Sequence, residues 1–225
     1  MILNVATGDG LSFESFYTSQ TNQDLMTLLE AFSKRSATSQ IFIWGEQHCG
    51  KTHLLQACCN QATNLGQRVS YLPLKALSDY GPGVTRGLDT MDLIVVDDID
   101  RIVGNRDWEE ALFGLINQAR TGEQRLLFSA TSNPRHLKCT LPDLASRFIW
   151  GETYNLEMLS DADKHLALKQ RARQRGFQLS DQVLDYLNRH YPRDMGSLLT
   201  MLEVLDQESI RHKAKITVPF VKQVL

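Results

Sequence analysis

Gly45-Glu46-Gln47-His48-Cys49-Gly50-Lys51-Thr52 follows the apolar run Ile41-Phe42-Ile43-Trp44 and leads into Thr52–Leu65, a stretch with helical spacing. The octet fits G-x-x-x-x-G-K-[ST] at every fixed position, in the strand-then-helix context that gives the pattern its meaning. Its glycines let backbone N–H groups turn inward around phosphates, and the following helix adds the positive end of its dipole. Lys51 is placed to bridge the β- and γ-phosphates, and the Thr52 hydroxyl to ligate Mg²⁺. His48 and Cys49 stand at positions the pattern leaves free.

Phosphate turnover needs a second motif, and Leu93-Ile94-Val95-Val96-Asp97-Asp98 supplies one. Four apolar residues bury a strand and deliver two carboxylates at its C-terminal end, where ligands of an open α/β sheet gather. Asp97 is expected to hold Mg²⁺ through water, and Asp98 to orient or deprotonate the attacking water. No N-K-x-D motif or ABC signature loop is present, which argues against a GTPase and an ABC-type ATPase.

The 225 residues are 42% hydrophobic and carry 24 basic against 26 acidic side chains, a net charge of −2. That balance excludes a strongly basic nucleic-acid coat and an acidic disordered tail. No basic residue precedes Lys34 and no tract is apolar enough to cross a bilayer, so no secretory signal, no membrane partner and a cytoplasmic location are expected. Cys49, Cys58, Cys59 and Cys139 show no C-x-x-C pairing and read as reduced thiols.

Apolar runs at Ile41–Trp44, Arg68–Pro73, Leu93–Asp97, Arg125–Ala130 and Thr153–Leu156 read as five strands buried on both faces. Helical stretches at Thr52–Leu65, Trp108–Thr121 and Pro142–Phe148 alternate with them, which implies a parallel sheet with helices on both faces. After Glu157 only helical signals remain. Ser160 caps a helix that Gly176 stops, Ser180 starts a second, and Met195, Leu198, Leu199, Leu202 and Leu205 mark one face of a third. A last helix begins near Thr217 with Pro219 in its first turn. The expected organisation is an α/β core over residues 1–157 and a small α-helical lid over 158–225.

Two arginines stand out in the second half: Arg147, closing Leu141-Pro142-Asp143-Leu144-Ala145-Ser146-Arg147-Phe148 just before the fifth strand, and Arg193, in Tyr191-Pro192-Arg193-Asp194. With the two phosphate motifs and the opening Phe13-Glu14-Ser15-Phe16 and Asn22, these stretches resemble the AAA+ P-loop ATPases of the bacterial replication-initiator group, DnaA and its relatives, over nearly the whole chain. The stretches Leu141–Arg147, Arg171–Phe177 and Ile216–Lys222 look like the Hda-type regulators within that group.

The resemblance implies an AAA+ sheet order, ADP or ATP with Mg²⁺ as cofactors, and an adenine side formed by Phe13, Phe16 and Asn22. Arg147 becomes an arginine finger and Arg193 the sensor 2 residue, while sensor 1 falls on Thr131 or Asn133. The implied nucleotide-contacting set is Phe13, Phe16, Asn22, Gly45, His48, Cys49, Gly50, Lys51, Thr52, His53, Thr131 and Arg193. Thr52 and Asp97 serve the metal, and Arg147 and Asp98 the chemistry.

The partners implied are the DnaA initiator and the DNA polymerase III sliding clamp, and a homo-oligomer stays open. The function implied is negative regulation of replication initiation, by stimulating hydrolysis in ATP-bound initiator; a helicase-loading ATPase with its own ATP cycle is the alternative. An initiator would continue into a helix-turn-helix domain, so no direct sequence-specific DNA binding is expected. The group's clamp-docking Gln-Leu-x-Leu segment is matched only in its last part by Met1-Ile2-Leu3-Asn4, and Thr131 stands where relatives often have Asp.

Overall fold

The computed structural model describes residues 11–35 and 38–225, so Met1–Asn4 lies outside the described residues. Five parallel strands, β1 (Gln40–Trp44), β2 (Val69–Pro73), β3 (Leu93–Asp97), β4 (Arg125–Ala130) and β5 (Glu152–Asn155), form one sheet in the order β2-β3-β4-β1-β5. Strand alternation sends Leu93 and Val95 to one face and Ile94 and Val96 to the other, and all four are fully buried. On the first face α1 (Gln23–Ser33) and α2 (Lys51–Asn64) close a core with Leu29, Phe32, Leu54 and Cys58. On the second, α3 (Leu74–Leu77), α4 (Arg106–Thr121) and α5 (Pro142–Phe148) do so around Trp108, Leu112 and the Phe42–Phe128–Phe148 ring cluster, with centroids 5.4–6.0 Å apart.

The fifth strand departs from expectation. The sequence pattern predicts burial on both faces, but among the described residues it pairs only with β1, and Glu152, Thr153 and Asn155 are exposed. An edge strand with polar side chains resists pairing with another molecule, which is the physical reason for that composition. Buried Leu156 belongs to the chain just past it, its N–H bonding the Trp44 carbonyl.

Backbone proximity divides the chain into Met1–Glu157 and Met158–Leu225. The second unit holds α6 (Asp161–Gln174), α7 (Asp181–His190), α8 (Met195–His212) and α9 (Val218–Val224). Ser160, Ser180, Asp194 and Thr217 each cap the helix that follows, accepting from the backbone N–H three residues on. Leu168, Leu184, Leu187, Leu198, Leu202, Leu205 and Val221 form this unit's own core. No described helix is long and apolar enough to cross a membrane, and all four cysteines are free.

Candidate nucleotide-binding site

Because the strands are parallel, the loop after β1, the carboxylates ending β3 and Thr131 after β4 collect at one end of the sheet. The loop alternates hand: His48 (φ +64°) and Gly50 (φ +107°) are left-handed around buried Cys49, the kind of backbone that turns N–H groups into a concavity. Gly50 is also sterically required, since a Cβ there would stand 2.7 Å from the Phe16 ring. Lys51 is 7% exposed and its ammonium donates to the Gly45 and Glu46 carbonyls, at 2.7 and 2.8 Å. Burial pushes the Cys49 thiol up against the pull of that ammonium, which leaves it a poor nucleophile.

Asp97 is buried but fully solvated by protein. Its Oδ2 accepts from Thr52 Oγ1 (2.8 Å) and Tyr71 OH (2.7 Å), and its Oδ1 accepts from Ser129 Oγ. Burial and then the Asp97 charge push Tyr71 well above the ordinary tyrosine range, and the same two causes push Cys59 up to about 12. Sequence reading missed Tyr71 and Ser129, hydroxyl-bearing residues of β2 and β4. They converge on Asp97 only because those strands flank β3. No group of three or more metal-ligating His, Cys, Asp or Glu occurs among the described residues. The adjacent Thr52 and Asp97 nevertheless fit Mg²⁺, an ion that takes one or two protein oxygens and completes its shell with phosphate and water.

Asp98 sits in a left-handed conformation (φ +60°, ψ +52°), its N–H bonded to Ser129 Oγ at 3.0 Å. Burial first, then the neighbouring Asp97 charge, raise its carboxyl above the ordinary Asp range. A raised folded-state value means stability that is complete below the unfolded value and lost as pH climbs through the folded one. Asp98→Asn is therefore expected to match the parent at acidic pH and exceed it at neutral pH, read by urea midpoints across pH; a constant difference would refute this.

Of the two sensor 1 candidates, Thr131 is fixed by Asp100, through its N–H (2.6 Å) and its hydroxyl (2.8 Å), while Asn133 Oδ1 caps its own turn by accepting from Arg135 N–H. Asp100 was not among the sequence candidates. Phe13 and Phe16 pack on the α1/α2 core, and Phe16 meets His53 edge to face at 5.2 Å. The His53 ring also approaches Ser12 and Ser15, docking residues 11–16 along α2. Asn22 bonds to Glu157: its amide donates to the Glu157 carbonyl and accepts the Glu157 N–H, both at 3.1 Å. In the second unit Arg193 is exposed, with Nε on the Asn188 carbonyl (2.9 Å).

Arg147 is not part of this cluster. Gln40, the first residue of β1, donates its amide to the carbonyls of Arg147 (2.8 Å) and Phe148 (3.1 Å), whereas the phosphate loop follows the last residue of β1. About 16 Å of strand separates them. The guanidinium rests on Phe113 and Trp150, 4.6 and 4.0 Å from their ring centroids.

The family model of the bacterial DnaA ATPase domain matches residues 9–155, and that of the Hda lid domain matches residues 161–225. Among solved structures, the chain is similar to domain III of the Thermotoga maritima replication initiation protein DnaA, at 19% identity over 96% of this chain and 95% of that one, with a TM-score of 0.79. It is similar to AMPPCP-bound DnaA from Aquifex aeolicus at 23% identity, covering 90% of this chain and 68% of that one, TM-score 0.73. The Thermotoga maritima RuvB Holliday junction branch migration motor follows at 20% identity, covering 95% of this chain and 72% of that one, TM-score 0.66. These identities speak to fold, a five-stranded AAA+ core with a helical lid. With the first family model spanning well over half of its length, the chain belongs to the bacterial DnaA ATPase-domain family and carries an Hda-type lid.

Proposed function

We propose that this protein regulates replication initiation negatively: it binds ADP or ATP with Mg²⁺ at the β1 loop and, docked on the DNA-loaded sliding clamp, places Arg147 against ATP held by a DnaA initiator. The observation that carries this is the position of Arg147, at the opposite end of the sheet from the protein's own phosphate loop and so out of reach of its own γ-phosphate. A guanidinium is permanently charged, planar and forked, suited to the charge that spreads over the γ-phosphoryl oxygens during transfer. Family membership and the Hda-type lid support the initiator as the partner.

In the protein's own site, Lys51 would exchange the Gly45 and Glu46 carbonyls for phosphate oxygens, and Thr52 and Asp97 would hold the cation, which screens phosphate charge. Arg193 would read the nucleotide from the lid, so that ADP or ATP acts as a conformational ligand. Excess ADP, at about a hundred times its Kd, is expected to stabilise the parent by about 2.7 kcal/mol, a rise in Tm of roughly 5–10 °C. Lys51→Ala should show almost none of that rise; an equal shift would remove Lys51 from the site.

The deciding experiment is ATP turnover by ATP-loaded DnaA, measured with and without this protein and clamp-loaded DNA. Stimulation that requires all components supports the proposal. Robust hydrolysis by this protein alone, with none stimulated in the initiator, would instead favour a helicase-loading ATPase.

A further inference from the structure

Trp150 lies two residues past α5 and is 42% exposed. Two arginines use its indole: Arg147 at 4.0 Å from the ring centroid and Arg120, in the last turn of α4, at 4.5 Å. Their charges are therefore no further apart than those two distances laid end to end, about the span of a triphosphate chain. Among the described residues neither guanidinium has an ion-pair or hydrogen-bonding partner, and Arg147 Nε is buried without one. Like charges held close by a single indole, with no carboxylate to compensate, repel each other and keep their N–H forks free. A polyanion relieves the first and satisfies the second.

The platform is rigid. The Gln40 amide holds the carbonyls of Arg147 and Phe148, and a Cβ on Gly151 would stand 2.0 Å from the Gln40 carbonyl oxygen, so the backbone on either side of Trp150 has no slack. Beside the indole a cleft of about 290 Å³ opens, with Arg120, Trp150 and Gln40 in its wall. Arg120 is therefore approachable without moving the ring.

We propose that Arg120 is a second phosphate-contacting residue beside Arg147, and that Trp150 is the platform presenting both guanidiniums to one triphosphate borne by a partner molecule. This rests on the trans-acting reading of Arg147. Arg147 meets the phosphoryl group that transfers, and Arg120 a neighbouring phosphate, so Arg120 contributes to capture more than to the transfer step.

Two measurements test this. With the protein saturated by ADP, inorganic triphosphate is titrated while the Nε–Hε NMR signals of both arginines are followed. Both are expected to move along one binding curve, and Arg120→Ala to weaken the Arg147 response at least fivefold; an unchanged Arg147 curve would overturn the pairing. In stimulated hydrolysis by ATP-bound DnaA, Arg120→Ala should raise the half-saturating concentration of this protein at least fivefold and flatten its salt dependence, while leaving the maximal rate within threefold. Arg120→Lys should recover part of the loss and Arg120→Glu deepen it. Arg120 is exposed, and an unchanged Tm shows that these variants fold. Stimulation retained by Arg147→Ala would sink the trans-acting reading itself. Stimulation abolished by Arg147→Ala but unaffected by Arg120→Ala would leave that reading standing and refute the role of Arg120.

Discussion

Arg147→Ala is expected to abolish stimulated ATP hydrolysis by DnaA while nucleotide binding by this protein stays as in the parent. A finger supplied in trans is worth about 10³–10⁵ in rate, or about 4–7 kcal/mol of barrier, which separates a slow intrinsic timer from a switch. The own-site half of the result follows from distance, since the full length of β1 lies between Arg147 and the phosphate loop. Arg147→Lys should recover little, because a point charge lacks the fork. The assay combines single-turnover hydrolysis by ATP-loaded initiator, at saturating clamp-loaded DNA, with ADP titration of the isolated variant. Near-parental stimulation by Arg147→Ala would end the assignment, and lost ADP binding would show damage to the core instead.

How far the sequence could be read differs sharply between the parts of the site. The phosphate loop and the Asp97 strand end are written in consecutive residues, so local pattern located them within a residue or two. The lid helices were equally legible, because Ser160, Ser180 and Thr217 carry the capping chemistry in their own side chains. Tyr71, Ser129 and Asp100 were invisible: each is an ordinary polar residue until the β2-β3-β4 neighbourhood brings it to Asp97 or Thr131. The α1 helix went unread although Leu25, Met26, Leu29 and Phe32 recur at helical spacing, and all four are buried. The resemblance puts Asn22 on the adenine side, and its hydrogen bonds to Glu157, a partner 135 residues away, could not be read from local pattern.

The largest expected loss of stability comes from a residue with no place in the chemistry. Glu109 in α4 is completely buried, yet it has no cationic partner among the described residues. Its Oε1 accepts the N–H groups of Gly104 (2.7 Å) and Thr140 (3.0 Å), and its Oε2 that of Leu141 (2.6 Å). Backbone donors thus compensate the buried charge, and one of them belongs to the residue just before α5. Glu109→Ala leaves three backbone donors without their acceptor and opens a void, an expected cost of about 3–5 kcal/mol. In a protein of this size that lowers Tm by roughly 10 °C. Glu109→Gln keeps the shape but turns an NH₂ group toward a donor, and should fall between. Urea unfolding with an unchanged slope and a lowered midpoint checks the size of the effect. A loss below about 1 kcal/mol would mean that water serves these groups equally well. Because the same carboxylate sets where α5 starts, Glu109→Ala should also weaken stimulation at temperatures where it remains folded.

The paired hydrogen bonds from Asn22 to Glu157 make two distant points of the chain behave as one. Asn22, the residue that opens α1, and Glu157, the last residue of the first unit, are tied by a side chain rather than by the backbone ladder of the sheet, so a displacement of one is felt at the other. An Asn22→Ala chain would keep both ends of that linkage and lose the coupling between them.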